Sequence, residues 1–473
     1  MRRFIGRAHE LDVLRDALTR IRSTPKAAQP GECILIRGRR RVGKSSLVEE
    51  FLRTADTPYV FFTAAGRSAE DELTELADAV SLSNLPDREL FAEEAPTQWS
   101  AALRLLAELL PGDRPSVVVI DEVPYLMDRV DAFEGVLQRA WDRLLSHKPV
   151  LLLLVGSDLS MMESLNSYER PFHQRGREMV VGPLTPADLA DMLDLQPAVA
   201  FDAALVTGGL PLICRDWRPG GTLRDFLKAS LSDPTSALLV SAERSLAAEF
   251  PPQALGGEVL RAVGSGERTF NNIARAAGGL AHMSLTRAMQ VLIDKGIVAA
   301  ELPVSLGASK ERRYRIADPY LRFWLTFLAP HMAEIERMRG DLTLVRIKEN
   351  WSSWRGRAVE PLIRESLARL LPDDQLPAAP VVGGYWTRSN DVEIDLVGAD
   401  RGPVAKELLF LGSIKWLDNN RFDDRDLAAL QRHRSRLTDD PVPLVAVSRN
   451  GVTASGPDAL YGPAELLAGW NPR

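Results

Sequence analysis

Cysteine is almost absent from this 473-residue sequence, which contains only Cys33 and Cys214. Cys33 lies in a short apolar segment and Cys214 follows another. The pair supports neither a disulfide framework nor a thiolate metal site. We therefore expect a reducing setting, the cytoplasm, for this protein.

Long hydrophobic runs are also missing. The longest apolar run, Val150 to Val155, is far shorter than the ~20 residues that a helix needs to span a bilayer. The opening segment, MRRFIGRAHELDVL, is basic at first but lacks the continuous apolar stretch of a signal peptide. We expect neither a membrane partner nor secretion.

Positive charge is not in excess, because the formal net charge is −6. The whole molecule is therefore not a basic nucleic-acid binder, and any contact with DNA must come from a local patch. Hydrophobic residues make up 45% and charged residues 26% of the chain, as in an ordinary globular protein with ample core. A length of 473 residues suggests roughly three domains at ~150 residues each.

The segment from Gly31 to Glu50, GECILIRGRRRVGKSSLVEE, carries the most specific motif. An apolar run typical of a buried strand is followed by GRRRVGKS, which matches G-x-x-x-x-G-K-[ST] at every defined position, and then by a helical pattern. Glycines let the backbone approach an anion, while N–H groups and the helix N-terminus converge on phosphates. Lys44 is expected to reach the β- and γ-phosphates and Ser45 to ligate Mg²⁺. The expected phosphate-binding residues are Gly38, Arg41, Val42, Gly43, Lys44, Ser45 and Ser46.

A second apolar run, SVVVIDE, ends in two adjacent carboxylates, Asp121 and Glu122. Burying unpaired charge is unfavourable, so this pair indicates a site rather than a core. Asp121 is expected to hold Mg²⁺ through water, and Glu122 to orient and polarise the attacking water. A further strand, Val150 to Val155, leads to Ser157, which occupies the place of a polar sensor of the γ-phosphate.

Two arginines, Arg175 and Arg177, follow in the loop PFHQRGREM before a last short strand, Met179 to Val181. One of them could be an arginine finger, acting on its own nucleotide or on that of a neighbouring subunit. The alternative is that both are solvated residues of a polar loop. A finger acting between subunits would require a homo-oligomer.

The order of these strands predicts a parallel sheet in which one strand is added between the two nucleotide motifs. With Glu122 placed for catalysis, this architecture indicates a hydrolysing ATPase rather than a kinase or a small GTPase. No N-K-x-D guanine signature is present, so ATP is the favoured nucleotide. ATP and Mg²⁺ are therefore the expected cofactors.

Beyond the sheet, Thr185 followed by Pro186 starts a series of short helices that we interpret as a small helical lid. The turn GGLP at 208–211 could place groups over the nucleotide or could simply link two helices. From Leu255 to Ala317 the pattern is helix, helix, helix, hairpin, the order of a winged helix-turn-helix. Its third helix is expected to begin at a Ser284 cap.

A winged helix can bind duplex DNA or another protein, and we favour DNA. The recognition helix would present polar side chains to a major groove, and the basic wing would lie near phosphates. The expected DNA-binding residues are Ser284, Thr286, Arg287 and Gln290 on the helix and Lys310, Arg312, Arg313 and Arg315 on the wing.

The C-terminal part contains a long amphipathic helix predicted from Trp354 to Leu371, followed by strands. A helix Glu, a strand Asp and a second strand with I-K resemble the core of the PD-(D/E)XK nucleases. Glu360, Asp395 and Lys415 match that pattern, but Ser413 stands where an acidic metal ligand is expected. A hydroxyl is a poor replacement for a carboxylate on a hard divalent cation, so we expect a degenerate domain with very weak or no cleavage.

Taken together, the motifs FIGR, GRRRVGKSS, VVVIDEVPYL, GSDLSMMESL, GGLP, DPYLRFW, YWTRSNDVEIDLV and GSIKW resemble the archaeal-type P-loop ATPases of the AAA+/STAND grouping. Those proteins carry a winged helix and a C-terminal nuclease-like domain, and the resemblance covers nearly the whole chain. It implies ATP binding, with the glycine, lysine, serine and acidic residues in the roles given above. In similar ATPases a segment like FIGR packs on the adenine, which implies nucleotide contacts for Phe4, Ile5 and Arg7. The alternative is an ordinary N-terminal helix.

The expected fold class is α/β: a P-loop NTPase parallel sheet with a helical lid, then a winged helix-turn-helix and a C-terminal α/β nuclease-like domain. The expected boundaries are 1–183, 184–250, 251–320 and 321–473. The leading functional hypothesis is an ATP-hydrolysing, DNA-associated switch or remodeller. The alternatives are a metal-dependent nuclease under ATPase control and a protein-binding scaffold with little catalysis.

Overall fold

The computed structural model describes residues 4–24, 30–94, 96–168, 170–242, 256–389 and 391–471. Contacts divide the chain into two compact units, Met1–Pro183 and Leu184–Arg473. The predicted boundary between residues 250 and 251, and the predicted end of the lid, lie outside the described residues. The division of the second unit into lid, winged helix and nuclease-like domain therefore stays a prediction.

The first unit is built on a five-stranded parallel sheet, as the sequence predicts. Its strands are β1 (Glu32–Arg37), β2 (Tyr59–Thr63), β3 (Ser116–Asp121), β4 (Val150–Gly156) and β5 (Arg177–Val180). They lie in the order β2-β3-β4-β1-β5, and every neighbouring pair is parallel. β4 is thus the added strand between the two nucleotide motifs. Every residue of β3 and β4 is buried, which explains their continuous Val, Ile and Leu runs.

Helices connect these strands, so all the strands point the same way and their carboxyl ends meet at one edge of the sheet. That edge collects the loop after β1, the acidic pair at the end of β3 and Ser157 after β4. The helices are α1 (Ala8–Ser23), α2 (Lys44–Ala55), α3 (Ala69–Ser81), α4 (Glu89–Glu94), α5 (Trp99–Leu109), α6 (Val123–Arg129), α7 (Phe133–Arg143) and α8 (Leu159–Leu165).

The second unit opens with helices, as the lid prediction requires. Thr185 caps the first of them in a reciprocal capping box with Asp188, which confirms the predicted helix start. Within the part of the chain that the structure covers, no helix is long and apolar enough to cross a membrane. The helices are α9 (Pro186–Leu193), α10 (Pro197–Thr207), α11 (Pro211–Cys214), α12 (Leu223–Leu231), α13 (Gly256–Gly264), α14 (Phe270–Ala276), α15 (His282–Asp294), α16 (Pro319–Phe323), α17 (Met332–Glu336), α18 (Gly340–Ala358), α19 (Glu360–Leu370), α20 (Asp424–Leu437) and α21 (Pro463–Ala468).

Helix α10 is buried on all sides, because residues from Ala200 to Thr207 all lie in the interior. Ala203 and Val206 belong to the core of the helical region. Phe201 and Leu205 belong instead to the core of the C-terminal sheet, where Phe201 meets Trp416 edge to face at 5.4 Å. Helix α10, which belongs to the predicted lid, therefore packs both in the core of the helical region and in the core of the C-terminal sheet.

Two helix predictions are wrong in their bounds. α15 begins at His282, with Ala281 at the N-cap, rather than at a Ser284 cap. The helix predicted from Trp354 to Leu371 is the end of α18 and the whole of α19, which are separated at Val359. Pro361 explains the break, since proline lacks an N–H and is accommodated only in the first turn of a new helix.

Strands of the second unit form a hairpin and a mixed sheet. The hairpin, at the predicted wing, pairs β6 (Val298–Glu301) with β7 (Arg313–Ile316). The sheet has the order β12-β11-β10-β9-β8, antiparallel from β8 to β10 and parallel from β10 to β12. Its strands are β8 (Val381–Trp386), β9 (Glu393–Ala399), β10 (Leu408–Lys415), β11 (Leu444–Ser448) and β12 (Ala459–Tyr461).

Candidate active site

The loop between β1 and α2 has a backbone that only particular residues allow. A Cβ on Gly38 would lie 2.3 Å from the carbonyl oxygen of Val181, so a side chain has no room there. Gly43 caps α2 with φ 94°, a left-handed conformation that glycine adopts without strain. Arg41 adopts φ 69° in the same turn. The loop is therefore wound tightly around the start of α2, as the motif predicts.

Lys44 points its ammonium group into the middle of this loop. The Nζ atom donates to the carbonyl oxygens of Gly38 at 2.8 Å and of Arg39 at 3.2 Å. Only 6% of Lys44 is exposed, and this burial lowers the pKa of its amine, against the opposing charges of Glu122 and Asp121. The loop thus encloses a buried positive charge.

The predicted magnesium ligands lie against each other. Ser45 in the first turn of α2 donates its hydroxyl to Asp121 Oδ2 at 2.7 Å. Burial raises the pKa of Asp121, while the Ser45 hydrogen bond acts in the opposite sense. Among the described residues no group of three or more His, Cys, Asp or Glu side chains could hold a metal ion. Ser45 and Asp121 suit Mg²⁺ only if phosphate and water oxygens complete its shell.

Glu122 is held by the residue that the sequence analysis assigned to sensing. Ser157 donates to Glu122 Oε2 through its hydroxyl at 2.8 Å and through its backbone N–H at 3.3 Å. The contact follows from the sheet order, because β3 and β4 are neighbours and both end at this edge. The sequence shows both residues but contains no signal that they pair.

Arg7 of the FIGR segment binds the loop rather than solvent. Its guanidinium donates to the backbone oxygens of Val42, at 3.0 Å, and of Gly182, and it pairs with Glu10 at 3.2 Å. The residues before it, Phe4 and Ile5, are half-buried. Arg7 therefore anchors this segment to the phosphate loop, and its predicted direct contact with the nucleotide stays a prediction.

Two residues at this edge were missed by sequence reasoning. Arg40 in the loop donates to the Tyr125 hydroxyl at 2.9 Å. Tyr125 lies on α6, directly after the acidic pair, and its ring lies 3.3 Å from the place of a Cβ on Gly66. Its position in the motif VVVIDEVPYL is the only signal that could have drawn attention to it. The remaining predicted phosphate residue, Ser46, is half-buried in the first turn of α2.

The two candidates for an arginine finger lie toward the ends of the sheet where the strands begin, away from the carboxyl ends that carry the phosphate loop. Arg175 makes a bidentate ion pair with Asp142, at 2.7 and 2.9 Å, and that hydrogen bond raises its pKa. Arg177 pairs in register with Ile34 and lies 3.9 Å from Glu32 at the start of β1. Because three residues of strand span ~10 Å, the backbone of Arg177 lies about that far from the end of β1, where the loop begins. A finger acting on a neighbouring subunit stays a prediction.

The predicted DNA-binding residues separate into two groups. Thr286, Arg287 and Gln290 are exposed on α15, and Ser284 is half-buried there. Lys310 and Arg312 are exposed in the loop between β6 and β7. Arg313 instead pairs with Glu393 at 2.6 Å and Arg315 with Glu301 at 2.5 Å. Ion pairs thus hold the guanidinium groups of both arginines on β7 at acidic side chains of the protein. The predicted contacts of the four wing cations with phosphates stay predictions.

The nuclease-like residues lie together but are occupied by other protein groups. Asp395 accepts from the Ser413 hydroxyl at 3.0 Å and from the Ile414 N–H at 2.8 Å. Lys415 forms an ion pair with Asp426, with its Nζ atom 2.8 Å from Oδ1.

Glu360, the helix carboxylate of this cluster, pairs with Arg364 at 3.2 Å, and the same guanidinium donates to the backbone oxygen of Asp395 at 2.9 Å. Burial, with a smaller contribution from the charge of Asp395, raises the pKa of Glu360 to about 7. An arginine thus lies between the two carboxylate residues that would flank a metal in a working nuclease.

Two family models match separate parts of the chain. Residues 5–198 match the family described as an ATPase domain predominantly from Archaea. Residues 324–427 match a family described as archaeal and bacterial proteins of unknown function. An uncharacterised protein of Methanocaldococcus jannaschii is 24% identical over 436 residues, which cover 91% of this chain and 90% of the relative.

Solved structures show looser likenesses. The Walker-type ATPase of Pyrococcus abyssi aligns with a TM-score of 0.48 and 19% identity, over 68% of this chain and 96% of that one. The ORC1 protein of Aeropyrum pernix in complex with DNA aligns with a TM-score of 0.35 and 17% identity, over 71% of this chain and 95% of that one. Likenesses of this size transfer neither a ligand nor a partner to this chain.

Proposed function

Because the first part of the chain carries an ATPase domain of the archaeal type, we propose that it binds ATP with Mg²⁺ at the loop 38–45 and hydrolyses it. The supporting observation is a pair of contacts at one edge of the sheet. Ser45 lies 2.7 Å from Asp121, and Glu122 lies 2.8 Å from Ser157. These contacts support a metal-binding role for Ser45 and Asp121 and the role of a base for Glu122.

Binding begins with an exchange of partners at Lys44. Its ammonium donates to two neutral carbonyl oxygens of the loop. Phosphate oxygens are better acceptors for an ammonium ion, because they carry negative charge and add Coulomb attraction to the hydrogen bond. Loop N–H groups and the start of α2 add favourable interactions with the anion. Lys44 therefore supplies both affinity and charge neutralisation at the β- and γ-phosphates.

Ser45 and Asp121 would hold Mg²⁺, Ser45 directly and Asp121 through water. When bound, the ion neutralises charge that develops on the β- and γ-oxygens. Asp121 accepts from the backbone N–H of Glu122 at 2.9 Å, which fixes the carboxylate for this task. The hydrogen bond between Ser45 and Asp121 holds both oxygens on one side of the loop.

Glu122 acts on the attacking water. Its carboxylate accepts a proton from that water, whose oxygen bonds to the γ-phosphorus as the bond to the ADP oxygen breaks. Ser157 keeps Oε2 in place, so Oε1 is the oxygen available to water. In this arrangement Ser157 is a positioning residue for the base, in addition to its predicted contact with the γ-phosphate.

ATP turnover and ATP binding test this proposal in the full chain. Glu122→Gln is expected to retain ATP but lose at least ~10²-fold in turnover, because a general base contributes 10²–10⁴. Lys44→Ala is expected to lose ATP binding itself. Glu108→Gln, which removes an exposed carboxylate of α5, is the matched control. Turnover that is unchanged in both site variants would remove the mechanism.

We further propose that the nucleotide state controls association with duplex DNA, so that the protein acts as a DNA-associated switch. The observation that favours DNA is the exposed polar face of α15, with Thr286, Arg287 and Gln290, beside the exposed cations Lys310 and Arg312. Retention of a labelled duplex is expected to differ between ATP- and ADP-loaded protein. Equal retention in both states would exclude a switch, and retention of a protein partner alone would favour the scaffold hypothesis.

Nuclease activity is not part of the proposed function. Ser413 donates to Asp395, and Lys415 is paired with Asp426, and these contacts support the expectation of a degenerate site in which Ser413 replaces an acidic ligand. We expect no Mg²⁺- or Mn²⁺-dependent cleavage of duplex DNA by the wild type. Cleavage that Asp395→Ala abolishes and Ser413→Glu raises would instead establish the nuclease alternative.

A further inference from the structure

The wing is tied to the C-terminal sheet along its length. Val304 donates to the backbone oxygen of Gly384 at 2.9 Å, and Ser305 forms a parallel bridge with Val404. The Val304 side chain is 4% exposed and belongs to the core of the C-terminal sheet. At the far end of the loop, Trp386 donates its indole N–H to the backbone oxygen of Glu311 at 2.8 Å. The wing therefore has a fixed position on this sheet.

Where the wing packs on the sheet, some cationic side chains form ion pairs or stack on a ring, and others stay exposed. Arg313 lies over the ring of Trp386 at 4.5 Å and, with Arg268, pairs with Glu393. Lys310 and Arg312 stay exposed on the loop. Neither makes an ion pair with an acidic side chain in the ranges that the structure covers.

Lys310 and Arg312 share a groove with a cation from another part of the chain. Arg388, exposed in the turn between β8 and β9, lines the same cavity of about 470 Å³. Thr269, Asn271 and Ser309 add neutral hydrogen-bonding side chains to it, and Glu311 is the one carboxylate among the described residues that line it. Three cations against one carboxylate leave the lining positively charged, in a protein whose net charge is −6.

Arg312 also connects this groove to the predicted recognition helix. Arg312 and Gln290 line a neighbouring cavity of about 440 Å³, and Leu302 lines both cavities. A duplex that presented base edges to Gln290 would therefore bring backbone phosphates toward Arg312. Lysine and arginine supply most phosphate contacts in protein–DNA interfaces, and these contacts set the position of the protein on the duplex.

We propose that Lys310, Arg312 and Arg388 form one composite site for the phosphodiester backbone of duplex DNA, with the C-terminal domain supplying the third cation. The site rests on the DNA association proposed above. Docking of the wing holds its loop and the end of β8 in place before DNA arrives. Binding therefore spends little free energy on ordering them.

Salt dependence of DNA binding by the full chain is the test, with a labelled 30-base-pair duplex as the probe. Each neutralised phosphate contributes about −0.9 to the slope of log K against log salt, so three predict about 40-fold weaker binding at 200 mM than at 50 mM salt. Arg388→Gln is expected to reduce the magnitude of the slope by ~0.9 and Lys310→Gln/Arg312→Gln by ~1.8. Arg388→Lys is expected to restore it.

Matched controls are Lys228→Gln and Arg224→Gln/Lys228→Gln, which remove the same charges from the exposed side of α12. Duplex binding with an unchanged slope in Arg388→Gln would overturn the composite site and leave DNA association intact. Failure of the wild type to retain any duplex would overturn both. Tighter binding of the single strand of the same sequence would overturn the assignment to duplex DNA.

Discussion

Ser157 donates its hydroxyl to Glu122 Oε2 at 2.8 Å, across the carboxyl ends of two neighbouring strands. Glu122 itself adopts φ 56°, a left-handed conformation that is uncommon for a residue with a side chain. The two features together direct the carboxylate along the edge of the sheet. The orientation of the proposed base is thus decided by a residue 35 positions away in the chain.

Removing the Ser157 hydroxyl is expected to lower turnover without weakening ATP binding. Ser157→Ala leaves the base in place but frees its carboxylate, and losing a hydrogen bond to a charged group is worth ~1.5–3 kcal/mol. A loss of about 10-fold in kcat with KM nearly unchanged is the expected result. Ser157→Thr keeps the hydroxyl and should retain most of the rate. Equal kcat in Ser157→Ala and wild type would show that the contact has no role.

The lack of space around Gly38 predicts that adding one methyl group, in Gly38→Ala, weakens ATP binding. A Cβ there would lie 2.3 Å from the Val181 carbonyl oxygen, so Gly38→Ala must displace the loop backbone. We expect ATP binding to fall by at least ~10-fold in an equilibrium binding assay, since the N–H groups would no longer converge on the phosphates. Gly112→Ala is the control, because nothing lies within 4 Å of its Cβ position. Normal ATP affinity in Gly38→Ala would contradict the loop geometry.

Removing the central charge of a buried ionic cluster is expected to cause a large loss of stability. Asp202 on α10 is 4% exposed and lies 2.8 Å from Arg449 and 3.3 Å from Arg355, which is 1% exposed. Asp202→Asn leaves the buried guanidinium group of Arg355 and the half-buried one of Arg449 with a single carboxylate partner, the half-exposed Asp418. We expect a loss of ~3–5 kcal/mol in the free energy of unfolding of the second unit.

Chemical denaturation of the full chain, followed by tryptophan fluorescence, measures this change. Asp191→Asn alters an exposed carboxylate on α9 and is the control. The cluster connects α10 to the residues that follow β11, so its loss should also expose this junction to limited proteolysis. A variant as stable as the control would show that the cluster contributes no net stability.

The raised pKa of Glu360 predicts that the stability of the folded protein depends on pH. Its pKa of about 7 in the folded state lies above the usual value near 4.5, so the folded state binds the proton more tightly than the unfolded state does. The stabilisation is complete below the unfolded pKa and is lost as pH rises through 7. From pH 5.5 to 8 the wild type is therefore expected to lose about 2 kcal/mol more than Glu360→Gln does.

Thermal or denaturant unfolding of wild type and variant at these two pH values measures the difference. Glu365→Gln on the same helix is the control, because its side chain is 50% exposed. Parallel pH profiles for the wild type and Glu360→Gln would contradict a raised pKa at Glu360.

Local chemistry made much of the first unit, and the start of the second, readable from the sequence. The strand–loop–helix of the phosphate motif, the buried β3 and β4 and the Thr185 capping box all depend on residues that are close in the chain. Helix bounds were less predictable. Ser284 has a capping side chain, yet α15 starts earlier, at His282, whose ring packs against Phe270 with centroids 4.8 Å apart.

The sequence by itself determined that a G-x-x-x-x-G-K-[ST] loop, an acidic pair and a nuclease-like pattern with serine at one acidic position exist, since each is a short pattern with its own chemistry. Only the tertiary structure decided their partners. It directs Ser157 to Glu122, turns Arg313 toward Glu393 and brings Arg388 beside Lys310. Such contacts join residues that are distant in the chain, so they depend on how the strands and helices pack, which no local pattern records.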